Sequence, residues 1–304
     1  IGYNASADRL DRNYYDLLAS EARLASYFAI AKQQVPVEHW FHLGRPVMRN
    51  KNGLSLISWN GSMFEYLMPR LLMRSGPETL LYESEKVAIL TQQAYGAKTG
   101  TPWGVSESAY AARDPEHRYQ YQAFGVPGLG LRRGLARDKV IAPYASALAL
   151  QIFPAASARN IRDMVDLGFS GHYGLFESVD YTDDRLAKGE TVNPVHAYMA
   201  HHQGMILCAI DNSLCDDIHP RRFERDLRMH AVTLLLHERV PEEVPSEVER
   251  MESVDLASAT VGSGLAPQTW VPPLETSSPQ THLLGNGAMS SWISTSGGGG
   301  LRWR

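Results

Sequence analysis

The chain has little that would tie it to nucleic acid, to a disulfide framework or to a bilayer. Its formal net charge is −4, with 29 Lys and Arg against 33 Asp and Glu. No basic stripe interrupts that balance, so electrostatics gives no reason to expect a nucleic-acid partner. Only two cysteines occur, Cys208 and Cys215, and their spacing is not that of a zinc pair. On one continuous helix they would share a face about two turns apart, too far to bridge, so reduced core thiols are expected. There is no run of about 18 apolar residues, and this segment by itself is expected to make no membrane contact. The first residue is Ile1, and no signal-peptide pattern follows. The expectation is a piece of a longer polypeptide whose targeting signals lie elsewhere. No fixed-period repeat is visible. What remains is a chain of 304 residues, 44% hydrophobic and 20% charged, which can build a substantial core.

Two short segments carry the chemistry. Trp103-Gly-Val-Ser-Glu-Ser-Ala-Tyr110 and Tyr173-Gly-Leu-Phe-Glu-Ser-Val-Asp-Tyr181 each set one glutamate among aromatics and small hydroxyls. Both lie at glycine-containing breaks between helical stretches. Aromatic faces can stack on the C–H surface of a pyranose, and a pair of carboxylates can open an acetal. Glu107 and Glu177 are therefore the candidate pair of a glycosidase-type centre, expected to face one cleft. A retaining centre would hold them about 5–5.5 Å apart.

Most of the remainder reads as helix. Tyr14, Leu17, Leu18, Leu24, Ala25 and Phe28 recur at helical spacing. Glu21 falls inside that stripe, where a buried carboxylate is expected to pair with an arginine or cap a loop rather than do chemistry. Further helices are expected around 61–75, 79–96, 138–152, 155–168, 192–212 and 220–238, with strand confined to the tail. Pro69 should kink the first of these, and Pro143 and Pro194 should mark first turns or entry bends. The glycine-rich stretch 119–133 reads as an ordered loop lining a sugar cleft. Without a strand before it and a helix after it, it is no dinucleotide site, and no cofactor is expected. From 241 to 280 the composition becomes that of a linker, and 281–304 has β-type residues around a glycine turn.

Six separated segments then meet a family. Ser58-Trp-Asn-Gly-Ser-Met-Phe-Glu-Tyr-Leu-Met-Pro69 joins the Trp103 segment and Tyr121-Gln-Ala-Phe-Gly-Val-Pro-Gly-Leu-Gly130. Ala142-Pro-Tyr144, the Tyr173 segment and Ala197-Tyr-Met-Ala-His-His-Gln-Gly-Met205 follow. In this order they resemble the glucoamylase-like domain of bacterial cyclic β-1,2-glucan synthases, and the tail resembles the opening β-sandwich of the phosphorylase-like region that follows there.

The resemblance implies an all-α fold, an (α/α)6 toroid, over residues 1–240. The helices counted here are fewer than a complete toroid needs, so an exposed apolar flank is expected where others would pack. It also implies a membrane-anchored parent at the cytoplasmic face of the inner membrane, with a glycosyltransferase and a phosphorylase-like domain as partners. The implied substrate is a linear β-1,2-glucan, cleaved and closed into a ring by retaining transglycosylation. Glu107 is the implied nucleophile and Glu177 the acid/base. The alternatives are an endo-β-1,2-glucanase or a non-catalytic module that binds glucan and measures its length.

Around the pair, Trp59, Trp103, Tyr110, Tyr121, Phe124 and Tyr181 are candidate sugar platforms, although each could equally belong to the core. Glu65 and Asp180 are reserve carboxylates, for which a helix ion pair and a loop cap are the plainer roles. His201, His202 and Gln203 sit mid-helix. Adjacent histidines point about 100° apart and cannot easily grip one metal, so no metal site is expected, and a hydrogen bond from one of the three to a glucose hydroxyl is.

Overall fold

The computed structural model describes residues 3–4, 6, 8–10, 16–242, 281–285, 289–295 and 298–303. The chain divides into two compact units, one of residues 1–112 and 119–252 and one of 113–118 and 253–304.

The first unit is built from helices of unequal length. In chain order they are α1 (Ala22–Ala31), α2 (Glu38–Phe41), α3 (Met63–Leu67), α4 (Leu80–Thr99), α5 (Pro143–Leu148), α6 (Pro154–Asp166), α7 (Ala200–Leu214), α8 (Ile218–Glu224) and α9 (Leu227–Ala231). The expected positions hold in outline. Pro69 ends α3 and opens a short 3-10 turn, Pro69–Leu71. Pro143 stands at the first turn of α5, where its missing N–H has no partner to lose. The long α4 is bounded by its own sequence. The Thr79 hydroxyl accepts from Tyr82 N at 3.3 Å, and Gly100 closes the helix in a left-handed conformation, φ 70°.

Three expectations need correction. Strand is not confined to the tail. Val47–Asn50 pairs with Gly53–Leu56 in a hairpin, and Ser178–Asp180 pairs antiparallel with Asn193–Val195 and with Val140–Ile141. Pro194 therefore lies in a strand, where its edge position costs no ladder donor. The stripe drawn through Leu24, Ala25 and Phe28 is also off register. The helix begins only at Ala22 and turns Arg23, Ser26, Tyr27, Ile30 and Ala31 inward, leaving Phe28 44% exposed. Leu17 and Leu18 are buried, but ahead of the helix, and Tyr14 lies outside the described residues. Finally, Cys215 is exposed and Cys208 half-buried, so neither is a true core thiol.

The core gathers Leu18, Trp40, Leu56, Met63, Leu129 and Leu148, among others, from every helical layer. Several large apolar side chains stay outside it. Leu207 and Leu214 of α7, with Leu227 of α9 and Leu234, are exposed to 68–83%.

In the second unit, Thr281–Gly285, Met289–Ser294 and Gly299–Trp303 form an antiparallel three-stranded sheet. Of the stretch read as a linker, 243–280 lies outside the described residues.

Candidate active site

The loop that carries Glu107 is held from several sides. Gln92 of α4 brackets the Val105 backbone, its Oε1 accepting Val105 N and its Nε2 donating to Val105 O, both at 2.8 Å. Asn160 of α6 and Ser146 of α5 donate to Trp103 O. Nearer the carboxylate, the Tyr144 hydroxyl lies 2.8 Å from Ser106 Oγ and 2.9 Å from Glu107 O. A loop pinned this way presents Glu107 in one place, which a reacting group needs.

Glu107 is half-buried, and Tyr121 OH donates to its Oε1 at 2.8 Å. Burial pushes the Glu107 carboxyl above its ordinary value. The Tyr121 hydrogen bond and the charge of His202 hold it back, while Glu65 and Glu177 push it further. Tyr121 itself is 43% exposed, so this hydroxyl and carboxylate are open to a ligand.

Glu177 stands elsewhere in the arrangement than its sequence setting indicates. Its side chain is closed to solvent, and both oxygens are occupied. Oε1 accepts Ala109 N at 3.1 Å, and Oε2 lies 2.9 Å from His202 Nδ1. The other nitrogen of the ring, Nε2, lies 3.5 Å from Tyr121 OH. The imidazole stacks on Tyr144, with centroids 3.8 Å apart and planes at 12°. Glu107 and Glu177 are thus connected through the side chains of Tyr121 and His202. Glu177 therefore has no open face toward a ligand in this arrangement, unlike the half-buried Glu107.

A second half-buried carboxylate within the electrostatic reach of Glu107 is Glu21, at the head of α1. Burial raises its carboxyl, a backbone hydrogen bond opposes this, and the charges of Glu65, Glu107 and Asp16 raise it further. The arginine partner expected from the sequence is absent among the described residues. Arg23 pairs instead with Glu85, at 3.3 Å. A half-buried carboxyl whose ionisation a second carboxylate disfavours is a feature of many hydrolytic centres. The sequence signal was there, an acid inside an apolar stripe, but it pointed to a structural role.

The other expected residues divide. Trp59 is 39% exposed and donates to Asp16 Oδ1 at 3.3 Å, so its ring is open to solvent. Trp103 and Phe124 are core residues, not platforms. Tyr110 packs edge-on against Phe124, with the Arg185 guanidinium 4.9 Å from its ring. Tyr181 lies edge-on to Phe169. Glu65 closes a capping box with Ser62 at the start of α3 and takes Ser58 Oγ at 3.0 Å. It is a cap, not the expected helix ion pair. Asp180 is wholly buried, with its Oδ2 2.6 Å from Arg185 Nε and its Oδ1 accepting Thr182 N. His201 is exposed, and burial together with His202 lowers its pKa. Gln203 donates to Leu175 O at 3.0 Å, which ties the hairpin before Glu177 to α7. These three residues lie in the first turn of α7 rather than mid-helix, and of them His202 alone contacts both Glu177 and Tyr121.

Residues 13–225 match the family model described as "Glycoamylase: Putative glucoamylase". The chain belongs to the glycoamylase family. This glycoamylase chain is 41% identical over its whole length to the "Cyclic beta-(1,2)-glucan synthase NdvB" of Rhizobium meliloti (strain 1021), of whose length it spans 11%. Its fold is that of glucoamylase-like helical barrels. An endo-beta-1,2-glucanase from Chitinophaga pinensis, solved with sophorotriose and glucose, superposes with a TM-score of 0.52 and 16% identity, over 69% of this chain and 52% of that one. A "putative glucoamylase" from Bacteroides caccae gives the same TM-score and coverage at 18% identity. The glycoamylase chain therefore spans about half the length of these barrels. The resemblance read from six separated motifs holds.

Proposed function

We propose that this chain is the part of a cyclic β-1,2-glucan synthase that cuts linear β-1,2-glucan and closes it into a ring by retaining transglycosylation. The observation that carries the reading is Glu107, half-buried and hydrogen-bonded by an exposed tyrosine, whose charge raises the half-buried carboxyl of Glu21. Similarity to the Rhizobium synthase supports the choice of glucan. In this reading residues 1–240 are the catalytic part and 281–304 open the phosphorylase-like β-sandwich. The glycosyltransferase and phosphorylase-like domains of the same polypeptide are its partners, at the cytoplasmic face of the inner membrane.

The chemistry assigns two roles. Glu21 attacks the anomeric carbon, and the C1–O bond breaks as Glu107 passes its proton to the leaving oxygen. The 2-hydroxyl of the chain's own non-reducing end then attacks C1. Its proton goes to Glu107 and the Glu21 carboxylate is released, so the β configuration is kept. Glu107 takes the acid/base role because its carboxyl is linked by hydrogen bonds to a group that can hold a proton. Glu177 keeps a supporting role.

The test is product analysis of linear β-1,2-glucan treated with the full-length protein, in which a ring weighs one water less than the linear chain of equal length. Glu107→Gln and Glu21→Gln should each lower ring formation by roughly 10²–10⁴-fold or more. Azide should rescue Glu107→Gln on an activated aryl glycoside as a product of retained configuration. Linear fragments alone would make the chain a hydrolase, and full activity in both variants would leave it a glucan-binding module.

A further inference from the structure

Four side chains stand in one hydrogen-bonded line, and three of them have no part in the reaction as written. Tyr121 OH lies 2.8 Å from Glu107 Oε1 and 3.5 Å from His202 Nε2. Glu177 Oε2 lies 2.9 Å from His202 Nδ1. A buried carboxylate accepts only, so Nδ1 carries the hydrogen. This fixes the tautomer of a neutral His202 and leaves Nε2 as the end that faces Tyr121. The other groups around the imidazole do not compete for that end. Tyr144 contributes its ring face and commits its hydroxyl to Ser106 and the Glu107 carbonyl. His201 is the exposed neighbour on the same helix, 4.0 Å ring to ring.

We propose that the Tyr121 hydroxyl is a two-way contact between Glu107 and His202, and that the His202–Glu177 pair sets the charge state of Glu107 through it. This rests on the reading of Glu107 as the acid/base. When Glu107 is ionised, Tyr121 donates to it, and a proton on Nε2 of His202 donates to the tyrosine oxygen. When Glu107 holds the proton, it donates to the tyrosine oxygen, and Tyr121 turns its hydrogen to the free lone pair of Nε2. Passing between these states moves one proton from Glu107 to the tyrosine oxygen and one from Tyr121 to Nε2. The tyrosine stays neutral throughout, and the total is conserved. Glu107 and His202 then share one proton, and the step from acid to base between the two half-reactions has a ready counterpart inside the protein. His202 and Glu177 act through Tyr121 and are positioning residues.

Three measurements on the full-length protein decide it. Tyr121→Phe removes the donor that favours ionised Glu107, so the alkaline limb of the activity–pH profile should move up by roughly one unit, with kcat reduced and KM little changed. His202→Gln should move the limb in the same direction, and Tyr121→Phe with His202→Gln should move it no further than Tyr121→Phe alone. In NMR, the pH response of the His202 ring nitrogens should change when Glu107 becomes Gln, a reading that does not depend on Tyr121→Phe folding. An unmoved limb, or a His202 response indifferent to Glu107→Gln, overturns the relay. If Glu107→Gln keeps full activity, the reading of the site itself fails instead.

Discussion

Arg23 Nη1 donates to the carbonyl of Glu65 at 2.7 Å, and Nη2 reaches the next carbonyl, Tyr66, at 2.6 Å. One guanidinium thereby fastens the head of α1 to the last turn of α3 and fixes where Glu21, two residues before it, must lie. The cation is wholly buried, and Glu85 compensates its charge while also accepting Arg70 at 2.7 Å.

Arg23→Met should therefore cost more than a surface arginine does. Removing one partner of a buried ion pair costs about 3–5 kcal/mol, and two backbone carbonyls lose their donor as well. Urea unfolding of the variant should show the loss, and activity should fall further than stability does, because Glu21 is freed. A change below about 0.5 kcal/mol would mean that α1 is held by its apolar face alone.

The two tryptophans nearest the site should separate cleanly. Trp103→Ala empties a core position and should cost about 3–5 kcal/mol without a selective effect on KM. Trp59→Ala, at an exposed ring, should leave stability within about 0.5 kcal/mol and raise KM for glucan. Thermal melts paired with steady-state kinetics would show the pattern, and the reverse result would return Trp103 to the cleft.

Glu21 also makes a pH prediction with a definite sign. Its carboxyl is raised in the fold, so the folded chain holds that proton more tightly than the unfolded one. The stability this lends is present in acid, below the ordinary carboxylate range, and is lost as pH rises through the raised value. Glu21→Gln removes the loss. The variant should melt above the wild type at neutral pH, and the gap should close in acid. A gap that is constant with pH, or of opposite sign, would rule out the strained carboxyl.

Gly125 should tolerate no side chain. A Cβ there would lie 1.6 Å from Asn60 O, because the glycine-rich loop and the segment ahead of α3 run backbone against backbone, with Leu131 N bonded to Ser58 O. Gly125→Ala should fail to fold or melt far lower. Gly76→Ala, with open space around it, should be neutral or gain roughly 0.4–1 kcal/mol. Equal melting temperatures would mean that the loop can move away.

Local information carried much of this protein. The span of α4 is written in Thr79 and Gly100, the first turn of α5 in Pro143, and the candidacy of Glu107 in its aromatic and hydroxyl neighbours. Those features act within a few residues of chain and need no partner from afar. What tertiary structure decided was which polar groups face a ligand. Glu107 and Glu177 have similar surroundings in sequence, yet one is open and the other is enclosed by His202 and the Ala109 amide. Trp59 and Trp103 are alike as side chains, but one reaches solvent and the other the core. Glu107 acts on Glu21 across 86 positions of chain, which Arg23 helps bring together by docking α1 on α3. Burial and charge coupling depend on atoms brought from distant positions, so residue type and spacing nominated the carboxylates, and packing chose between them.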